Sequence, residues 1–295
     1  MGIINDIAGA TFAFSVSRYL RTASEGTAVC RLRRNNNATL QDFKLNASNV
    51  LVTDDANLRT VTAWKALTSA TDVFVERVYD QSGNARSFIQ ATNANQPKLI
   101  ESSALNSLAV IDFSQGNNST RLTSGSISIT PASGIEVHSI VRLTNSFPSP
   151  NYIFGSFASS LAKVGASTVD GWEWQSDNGD FVNSVTTPSF SQTYQASHRY
   201  RDSNLFDIDV DGVAVMTGEA SPGGLDWRSG IHVMGNSANG TGTQRAWGGL
   251  IAEIIFYNGN YSTGDTNDIQ TSQGIHAGTI SSSYNPAFAH RRLLL

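Results

Sequence analysis

The stretch Val73-Phe74-Val75-Glu76-Arg77-Val78-Tyr79-Asp80-Gln81-Ser82-Gly83-Asn84 joins a strand pattern to a polar turn. Its first six residues are rich in β-branched and aromatic side chains, which favour a β-strand. The residues from Asp80 to Asn84 are polar and include Gly83, which can adopt positive φ, so they indicate a turn. Pro97 ends the next short segment, because proline cannot donate to a sheet ladder. We therefore predict a strand, a turn, a short strand and a stop, which together form a β-arch.

These residues also carry a resemblance to a known family. The run Tyr79-Asp80-Gln81-Ser82-Gly83-Asn84, followed by Gln90-Ala91 and Gln96-Pro97, resembles the catalytic domain of fungal-type α-L-arabinofuranosidase B and related modules of bacteriophage structural proteins. A second block, in residues 13–23 and 28–34, resembles the same family in the expected order. The resemblance covers about the first third of the chain. It implies a concanavalin-like (laminin-G-like) jelly-roll β-sandwich.

The remainder of the sequence indicates an all-β protein on its own evidence. Of its 295 residues, 15% are charged and 40% hydrophobic, which is typical of a β-rich globular chain. Strand patterns recur from about residue 106, with turn signals between them, including a hairpin that turns at Asp211-Gly212. Thr263 to Ala277 is typical of a short polar helix that follows a strong strand. We expect an all-β, concanavalin-like jelly-roll β-sandwich with a few short helices.

Two more short helices and three segments of the chain are predicted. Ser15 to Ala23 reads as a helix with Ser15 as its cap. Asp54 to Ala70 reads as a helix capped by an aspartate, with Trp64 on a stripe that faces the core. Residues 1–12 read as an N-terminal arm, 13–280 as the sandwich and 281–295 as a C-terminal tail.

Composition narrows the classes of ligand and partner. The single cysteine, Cys30, excludes an intramolecular disulfide and is predicted to be a buried small hydrophobe. A net charge of -4 gives no attraction for nucleic acid. No apolar run approaches the ~18 residues of a membrane span and no signal-peptide pattern is visible, so we expect no membrane insertion and synthesis in a host cytoplasm. Metal-ligand spacings and nucleotide motifs are absent from the sequence, so we expect neither a metal nor a cofactor.

One acidic repeat resembles part of a calcium loop. Asp207, Asp209 and Asp211 alternate along a hairpin strand, but Gly218 stands where the bidentate glutamate of that motif is required. We predict three solvated carboxylates on one face, with a weak surface cation site as the alternative.

The resemblance also sets a test for catalysis, because retaining glycosidases need two carboxylates about 5–5.5 Å apart. The position of the family's nucleophile compares with residues 152–159, which contain no carboxylate. The loop of its general acid compares with residues 234–240, which place Asn236 where the acid belongs, and an amide cannot deliver a proton. We therefore expect no catalytic residues. A cluster of three acidic residues has two interpretations: it could be a displaced catalytic pair, or it could be a polar loop or strand edge. The residues are Glu173, Asp177 and Asp180.

Carbohydrate binding remains as a separate expectation. Sugar sites combine aromatic ring faces with amides and carboxylates, and a tryptophan in a sandwich otherwise packs in the core. The candidates for carbohydrate binding are Trp172, Trp174, Asp177, Asn178, Trp227, Asn236 and Trp247.

The C-terminal tail predicts assembly. It ends in three leucines, and burial of each would contribute about 1.5–3 kcal/mol to stability. We therefore expect the tail to dock on this chain or on a neighbouring one. The alternative is a disordered C-terminal end. The assembly candidates are Arg291, Arg292, Leu293, Leu294 and Leu295.

These observations lead to a functional hypothesis. We expect a non-catalytic bacteriophage virion structural protein: a capsid decoration, head-fibre or tail-associated subunit located in the virion. Its expected partners are other virion proteins and further copies of itself, with cell-surface glycans as a secondary partner. The alternatives are an α-L-arabinofuranosidase and a soluble carbohydrate-binding module.

Overall fold

The computed structural model describes residues 9–102, 105–114, 120–129, 134–144, 151–156, 163–167, 171–175, 181–201, 205–220, 230–235, 247–259 and 263–279. Regular structure in these ranges is almost entirely β-strand, which confirms the all-β prediction. The strands are β1 (Phe12–Ser15), β2 (Ala28–Arg34), β3 (Leu40–Leu45), β4 (Leu51–Thr53), β5 (Val73–Val78), β6 (Phe88–Ile89), β7 (Lys98–Ile100), β8 (Val110–Asp112), β9 (Leu122–Ile127), β10 (Ile135–Leu143), β11 (Asn151–Ser156), β12 (Lys163–Ser167), β13 (Gly171–Gln175), β14 (Phe181–Asn183), β15 (Thr193–Tyr200), β16 (Leu205–Val210), β17 (Val213–Ala220), β18 (Gly230–Met234) and β19 (Gly249–Tyr257). The helices are α1 (Val61–Ala66) and α2 (Thr263–Ala277), with 3-10 turns at Thr22–Ser24 and Asn93–Asn95.

The strands pack as two layers, as the predicted sandwich requires. The first sheet runs β4-β3-β2-β5-β6-β9-β18-β11-β12-β13-β14, with antiparallel neighbours. In the second sheet, β1 and β8 lie beside β19, followed by β10, β15, β16 and β17. Strand β7 pairs with β5 of the first sheet and β8 of the second, so the ladder continues from one layer into the other.

Aromatic side chains from both layers fill the space between the sheets. Phe12 of the second sheet lies 4.4 Å from Phe88 of the first, measured between ring centroids. Phe154 of the first sheet lies 5.2 Å from Phe256 of the second. Cys30 is fully buried in the same core, which confirms its predicted role as a small hydrophobe.

The turn after β5 is held by the carboxylate of Asp80. Its Oδ1 accepts hydrogen bonds from the backbone N–H of Ala13 at 3.1 Å and of Ser82 at 2.8 Å. Its Oδ2 accepts from the Ser82 hydroxyl at 2.8 Å and from the Arg86 N–H at 3.0 Å. Asp80 therefore fixes its own turn and also binds β1, which belongs to the other sheet.

The side chain of Gln81 replaces the helix predicted for Ser15 to Ala23. Its Nε2 donates to the Ser15 carbonyl at 2.8 Å, and its Oε1 accepts from the Leu20 N–H at 2.8 Å. Those two backbone groups would need intrahelical partners in a helix. The helix prediction was wrong because a residue from the signature turn satisfies them instead, and only the 3-10 turn at Thr22–Ser24 remains.

Residues 9–12, predicted as part of an N-terminal arm, pack against the sandwich. Ala10 and Phe12 are buried, and the Thr11 N–H donates to the Phe256 carbonyl at 2.7 Å. Residues 1–8 and 280–295 lie outside the described residues.

Helix α1 is shorter than predicted. The Thr60 hydroxyl caps it by accepting from the Ala63 N–H at 3.2 Å. Asp55, one of the expected caps, instead accepts from the Asn57 N–H at 2.8 Å in a separate turn. Trp64 is 3% exposed, which confirms its predicted place in the core. Among the described residues, neither helix has the length and apolar character needed to cross a membrane.

Helix α2 covers the outer face of the second sheet through polar contacts, and we call this interface the polar layer. The Glu253 carboxylate accepts hydrogen bonds from Arg18 at 2.7 and 2.8 Å and from Gln273 at 3.1 Å. The Glu136 carboxylate accepts from the Thr266 hydroxyl at 3.1 Å. Buried charges of this kind require such partners, since desolvation otherwise disfavours the charged form.

The predicted solvated carboxylates at Asp207 and Asp209 are buried instead, with 1% and 8% of their surface exposed. Asp209 pairs with Arg199 and accepts from Gln270 of α2 at 2.8 Å. Asp207 pairs with Arg201. The prediction was wrong because Gln270 of α2 contacts Asp209, while Arg201 and the Gly218 N–H contact Asp207, and the alternation of the strand alone reveals none of these partners.

We predict that Asp80→Ala lowers the free energy of unfolding by about 2–4 kcal/mol, because it removes a charged acceptor that serves three backbone N–H groups. Denaturant titration of the purified protein would measure the loss. Asp80→Asn, which retains one oxygen acceptor, is the matched control and should lose less. An Asp80→Ala protein with an unchanged unfolding midpoint would show that the carboxylate does not hold the turn.

Candidate functional site

Strand β13 turns its two tryptophans into the core. The Trp172 ring lies 5.3 Å from Tyr194, and the Trp174 ring lies 5.2 Å from Phe206, measured between centroids. His198 lies 6.1 Å from Trp172 and 6.0 Å from Trp174. All three contact residues belong to the second sheet, so these rings join the two layers.

The residue between the tryptophans faces the other way. Successive side chains of a strand alternate between faces, so Glu173 lies on the outer face of the first sheet. It is paired with Gly165 of β12 and Asn183 of β14, and Gly165 is paired in turn with Tyr152 of β11. Register partners share a face, so Tyr152, Gly165, Glu173 and Asn183 form one row across the sheet, which we call the Glu173 row. Glu173 is 1% exposed and Tyr152 is 2% exposed.

A close approach fixes the start of β13. Gly171 has a φ of +92°, and a Cβ at this position would lie 2.3 Å from the Ser184 carbonyl oxygen. Only glycine accommodates both the backbone conformation and the contact. The Trp172 N–H also donates to the Ser184 hydroxyl at 3.0 Å. These contacts fix β13 against the end of β14, where Glu173 is paired with Asn183.

The chemistry available to the Glu173 row is that of a shielded carboxylate beside a glycine and a tyrosine. A carboxylate can serve as nucleophile, general acid or general base, depending on its partner. Gly165 contributes no side chain between Glu173 and Tyr152, which are two strands apart and thus about 10 Å apart across the sheet. Asp177 and Asp180, grouped with Glu173 in the sequence, lie outside the described residues.

A second carboxylate on the first sheet, that of Asp42, has a structural role. The Asp42 carboxylate accepts from Arg31 at 2.8 and 2.9 Å and from the Tyr79 hydroxyl at 2.7 Å. Burial alone would raise the pKa of Asp42, but these hydrogen bonds outweigh it and hold the pKa below its usual value. Burial and then Asp42 raise the pKa of Tyr79 to about 12. An ionised aspartate held by a guanidinium and a neutral phenol is typical of a structural cluster.

The sequence candidates for carbohydrate binding fall into two groups. Trp172, Trp174 and Trp247 are 1%, 0% and 0% exposed, so their ring faces pack in the interior and are not open to a sugar. The structure therefore corrects their proposed role as platforms in favour of core packing. Asp177, Asn178, Trp227 and Asn236 lie outside the described residues, as do Arg291, Arg292, Leu293, Leu294 and Leu295.

The place of Tyr152 and Gly165 beside Glu173 is not predicted by the sequence. The signal that was available is the alternation Trp172-Glu173-Trp174-Gln175, which predicts a strand with aromatic residues inside and polar residues outside. The pairing of β13 with β12 and of β12 with β11 has no comparable signal in the sequence.

Similar proteins support the fold assignment. An arabinofuranosidase complexed with arabinofuranosyl-α-1,2-xylobiose has a TM-score of 0.69 and 15% identity over 94% of this chain. A GH54 α-L-arabinofuranosidase soaked with a cyclic sulfate inhibitor has a TM-score of 0.65 and 14% identity over 91% of this chain. A glutamate-to-glutamine mutant of a GH54 α-L-arabinofuranosidase, soaked with 4-nitrophenyl α-L-arabinofuranoside, has a TM-score of 0.63 and 13% identity over 91%.

The chain spans 65%, 63% and 63% of the length of those three structures. No protein-family profile matches the chain. No curated protein matches it either. At these identities the likeness establishes an arabinofuranosidase-like fold.

The hypothesis of a non-catalytic virion subunit is corrected by these comparisons. The similar structures are arabinofuranosidases, which favours the carbohydrate-active alternative over a phage structural protein. The expectation of no catalytic residues rested on the missing carboxylate in residues 152–159 and on Asn236 in place of the general acid, and Asn236 lies outside the described residues. A carboxylate does lie on that sheet face, because Tyr152 of β11 and Glu173 of β13 belong to one row.

A buried histidine in the core behind the Glu173 row, His198, makes the free energy of unfolding depend on pH. Burial lowers the pKa of His198 to about 3, and the neighbouring Gly165 backbone offsets only part of this shift. The folded pKa is therefore below the ordinary value of about 6.5 in the unfolded chain. The unfolded state binds the extra proton, so the stabilisation present above pH ~6.5 is lost as the pH falls towards the folded pKa.

We predict that His198→Phe and His198→Gln, which cannot titrate, reduce the loss of unfolding free energy between pH 7 and 4.5 by about 2 kcal/mol relative to the parent protein. Denaturant titrations across this pH range would measure the slopes. Because the two replacements differ in polarity, a shared change in slope is the effect of titration. Variants whose pH dependence runs parallel to that of the parent protein would contradict the assignment.

Proposed function

We propose that this protein is a glycoside hydrolase that acts on α-L-arabinofuranosides. The observation that carries the proposal is the position of Glu173, a shielded carboxylate on the outer face of a sandwich whose fold resembles arabinofuranosidases over 94% of the chain. The orientation of the Glu173 side chain is fixed, because Trp172 and Trp174, on either side of it in β13, are packed in the core.

Glu173 supplies one of the two carboxylates that the reaction requires. In glycoside hydrolysis one carboxylic acid protonates the leaving oxygen, and the second carboxylate either attacks the anomeric carbon or activates a water. Asp42 cannot be the second group, because Arg31 and Tyr79 already occupy its oxygens and β3 lies far from β13 along the sheet. The sequence offers Asp177 and Asp180, close to Glu173 along the chain, as the residues to examine for that role.

Tyr152 and Gly165 have supporting roles in this proposal. Gly165 leaves the place between Glu173 and Tyr152 without a side chain, so no third side chain separates the carboxylate from the phenol. Tyr152 adds a phenol, which can both pack against a sugar and hydrogen-bond to it. The row therefore combines the Glu173 carboxylate with the aromatic ring and hydroxyl of Tyr152 on neighbouring strands of one rigid sheet.

The test is the release of 4-nitrophenol from 4-nitrophenyl α-L-arabinofuranoside. We predict that Glu173→Gln lowers kcat at least a hundredfold without lowering the melting temperature, because it removes a reacting carboxylate and keeps its shape. Glu219→Gln, an exposed carboxylate on β17, is the matched control and should retain full activity.

Parallel assays of Asp177→Asn and Asp180→Asn would identify the second carboxylate. The configuration of the glycosyl azide that forms when azide restores turnover to Glu173→Ala would distinguish the roles, because loss of a nucleophile gives the inverted azide and loss of the general acid gives the retained azide. A parent protein that releases no nitrophenol above background would overturn the proposed function. Full activity in Glu173→Gln would overturn the role of Glu173.

A further inference from the structure

A cavity of about 320 Å³ has a lining that includes no residue of the Glu173 row. Its walls come from four separate segments: the bend after β1, the β3–β4 loop, α1 and the β7–β8 connection. The end of α2, which covers the outer face of the second sheet, closes it. Cavities of about 300–1,000 Å³ with apolar walls and a few polar groups are typical of small-molecule sites.

The floor of the cavity is a buried hydroxyl–imidazole pair. The Ser17 Oγ lies 2.9 Å from the His276 Nε2, and the two residues are 3% and 5% exposed. Burial, together with the charge of Arg18, lowers the pKa of His276 to about 4. The imidazole is therefore neutral at neutral pH. The nearby charge of Arg18 is matched by its two hydrogen bonds to Glu253.

Three non-glycine residues of the rim adopt left-handed backbone conformations. Asn49, Asn106 and Ser107 have φ values of 58°, 47° and 59°, and all three line the cavity. Such conformations cost free energy and concentrate at ligand sites, where the surrounding structure maintains them. Asn106 is held there by its own amide, which donates to the His276 carbonyl at 3.1 Å. The rim is thus fixed to the same helix end that supplies the floor.

The charge of the cavity selects the class of ligand. Glu101, the acidic residue of the lining, is already bound by Lys65 at 2.9 Å and by the Thr62 N–H at 3.1 Å. The remaining polar lining consists of hydroxyl, amide and neutral imidazole groups, beside apolar side chains such as Leu51 and Leu108. The part of this lining that the structure describes holds no lysine or arginine to bind an anion, and a cation would have to displace Lys65 from Glu101. A neutral molecule with several hydroxyl groups satisfies donors and acceptors alike.

We infer that this cavity, which we call the Ser17–His276 pocket, binds a neutral monosaccharide. The site goes beyond the proposed hydrolase function, because its lining shares no residue with the Glu173 row. Ser17 and His276 offer hydrogen bonds at the floor, Asn49 and Ser107 offer them at the rim, and the apolar walls pack against the C–H faces of the ring.

The test is isothermal titration with L-arabinose, D-xylose and D-glucose as separate probes. At least one of them should bind the parent protein, and Ser48→Trp should weaken that binding tenfold or more by covering the rim with a large ring. Ala47→Trp is the matched control, because Ala47 is the neighbouring exposed residue outside the lining and should leave the affinity unchanged. Ser17→Ala should weaken binding several-fold by removing a floor hydroxyl.

The two proposed sites are distinguished in the same experiment. Glu173→Gln should bind the monosaccharide as the parent protein does, whatever its hydrolytic activity. Binding that is lost in Glu173→Gln but kept in Ser48→Trp would place the sugar at the Glu173 row and overturn the pocket. No binding of any of the three probes, or equal affinities for Ser48→Trp and Ala47→Trp, would also overturn it. Loss of hydrolysis alone bears on the proposed function and not on the pocket.

Discussion

The two layers of the sandwich depend on the hydrogen bonds of one turn. Strand β5 belongs to the first sheet, and the turn that follows it binds residues from β1 onwards, where β1 lies beside β19 of the second sheet. Asp80 binds the Ala13 N–H, and Gln81 binds the Ser15 carbonyl and the Leu20 N–H. Without these contacts the backbone groups between β1 and the first 3-10 turn would be buried with no equivalent partners, at a cost of about 1–3 kcal/mol each.

The same division between inner and outer faces separates stability from chemistry along β13. Trp172 and Trp174 contact the second sheet and carry the packing, whereas Glu173 faces outwards and carries the carboxylate for which we propose a reactive role. The tryptophans thus support the site from behind the strand that bears it. A site on a strand with both neighbours paired is more rigid than one on a loop, which is what orientation of a reacting carboxylate requires.

The sequence predicts best where local rules decide the structure. Helix α2 spans Thr263–Ala277 as expected, and the hairpin turns at Asp211 and Gly212, whose φ values are 52° and 78°. It fails where distant residues decide. Gln81 binds Leu20 from 61 positions away and prevents a helix there. Gln270 reaches Asp209 across 61 positions and buries a carboxylate that alternation would leave in solvent. The outward position of Glu173 follows from alternation, but its row partners follow only from strand order.

The polar layer beneath α2 has a consequence for how selectively this helix docks. Buried ion pairs such as Arg18 with Glu253 add little net stability, because desolvation offsets their attraction. They do, however, discriminate between alignments. A shift of α2 by one turn would separate Gln273 from Glu253 and Thr266 from Glu136, whereas a purely apolar contact would tolerate such sliding. The helix is therefore restricted to a single alignment on the sheet, because in any other alignment these buried polar groups would lose their partners.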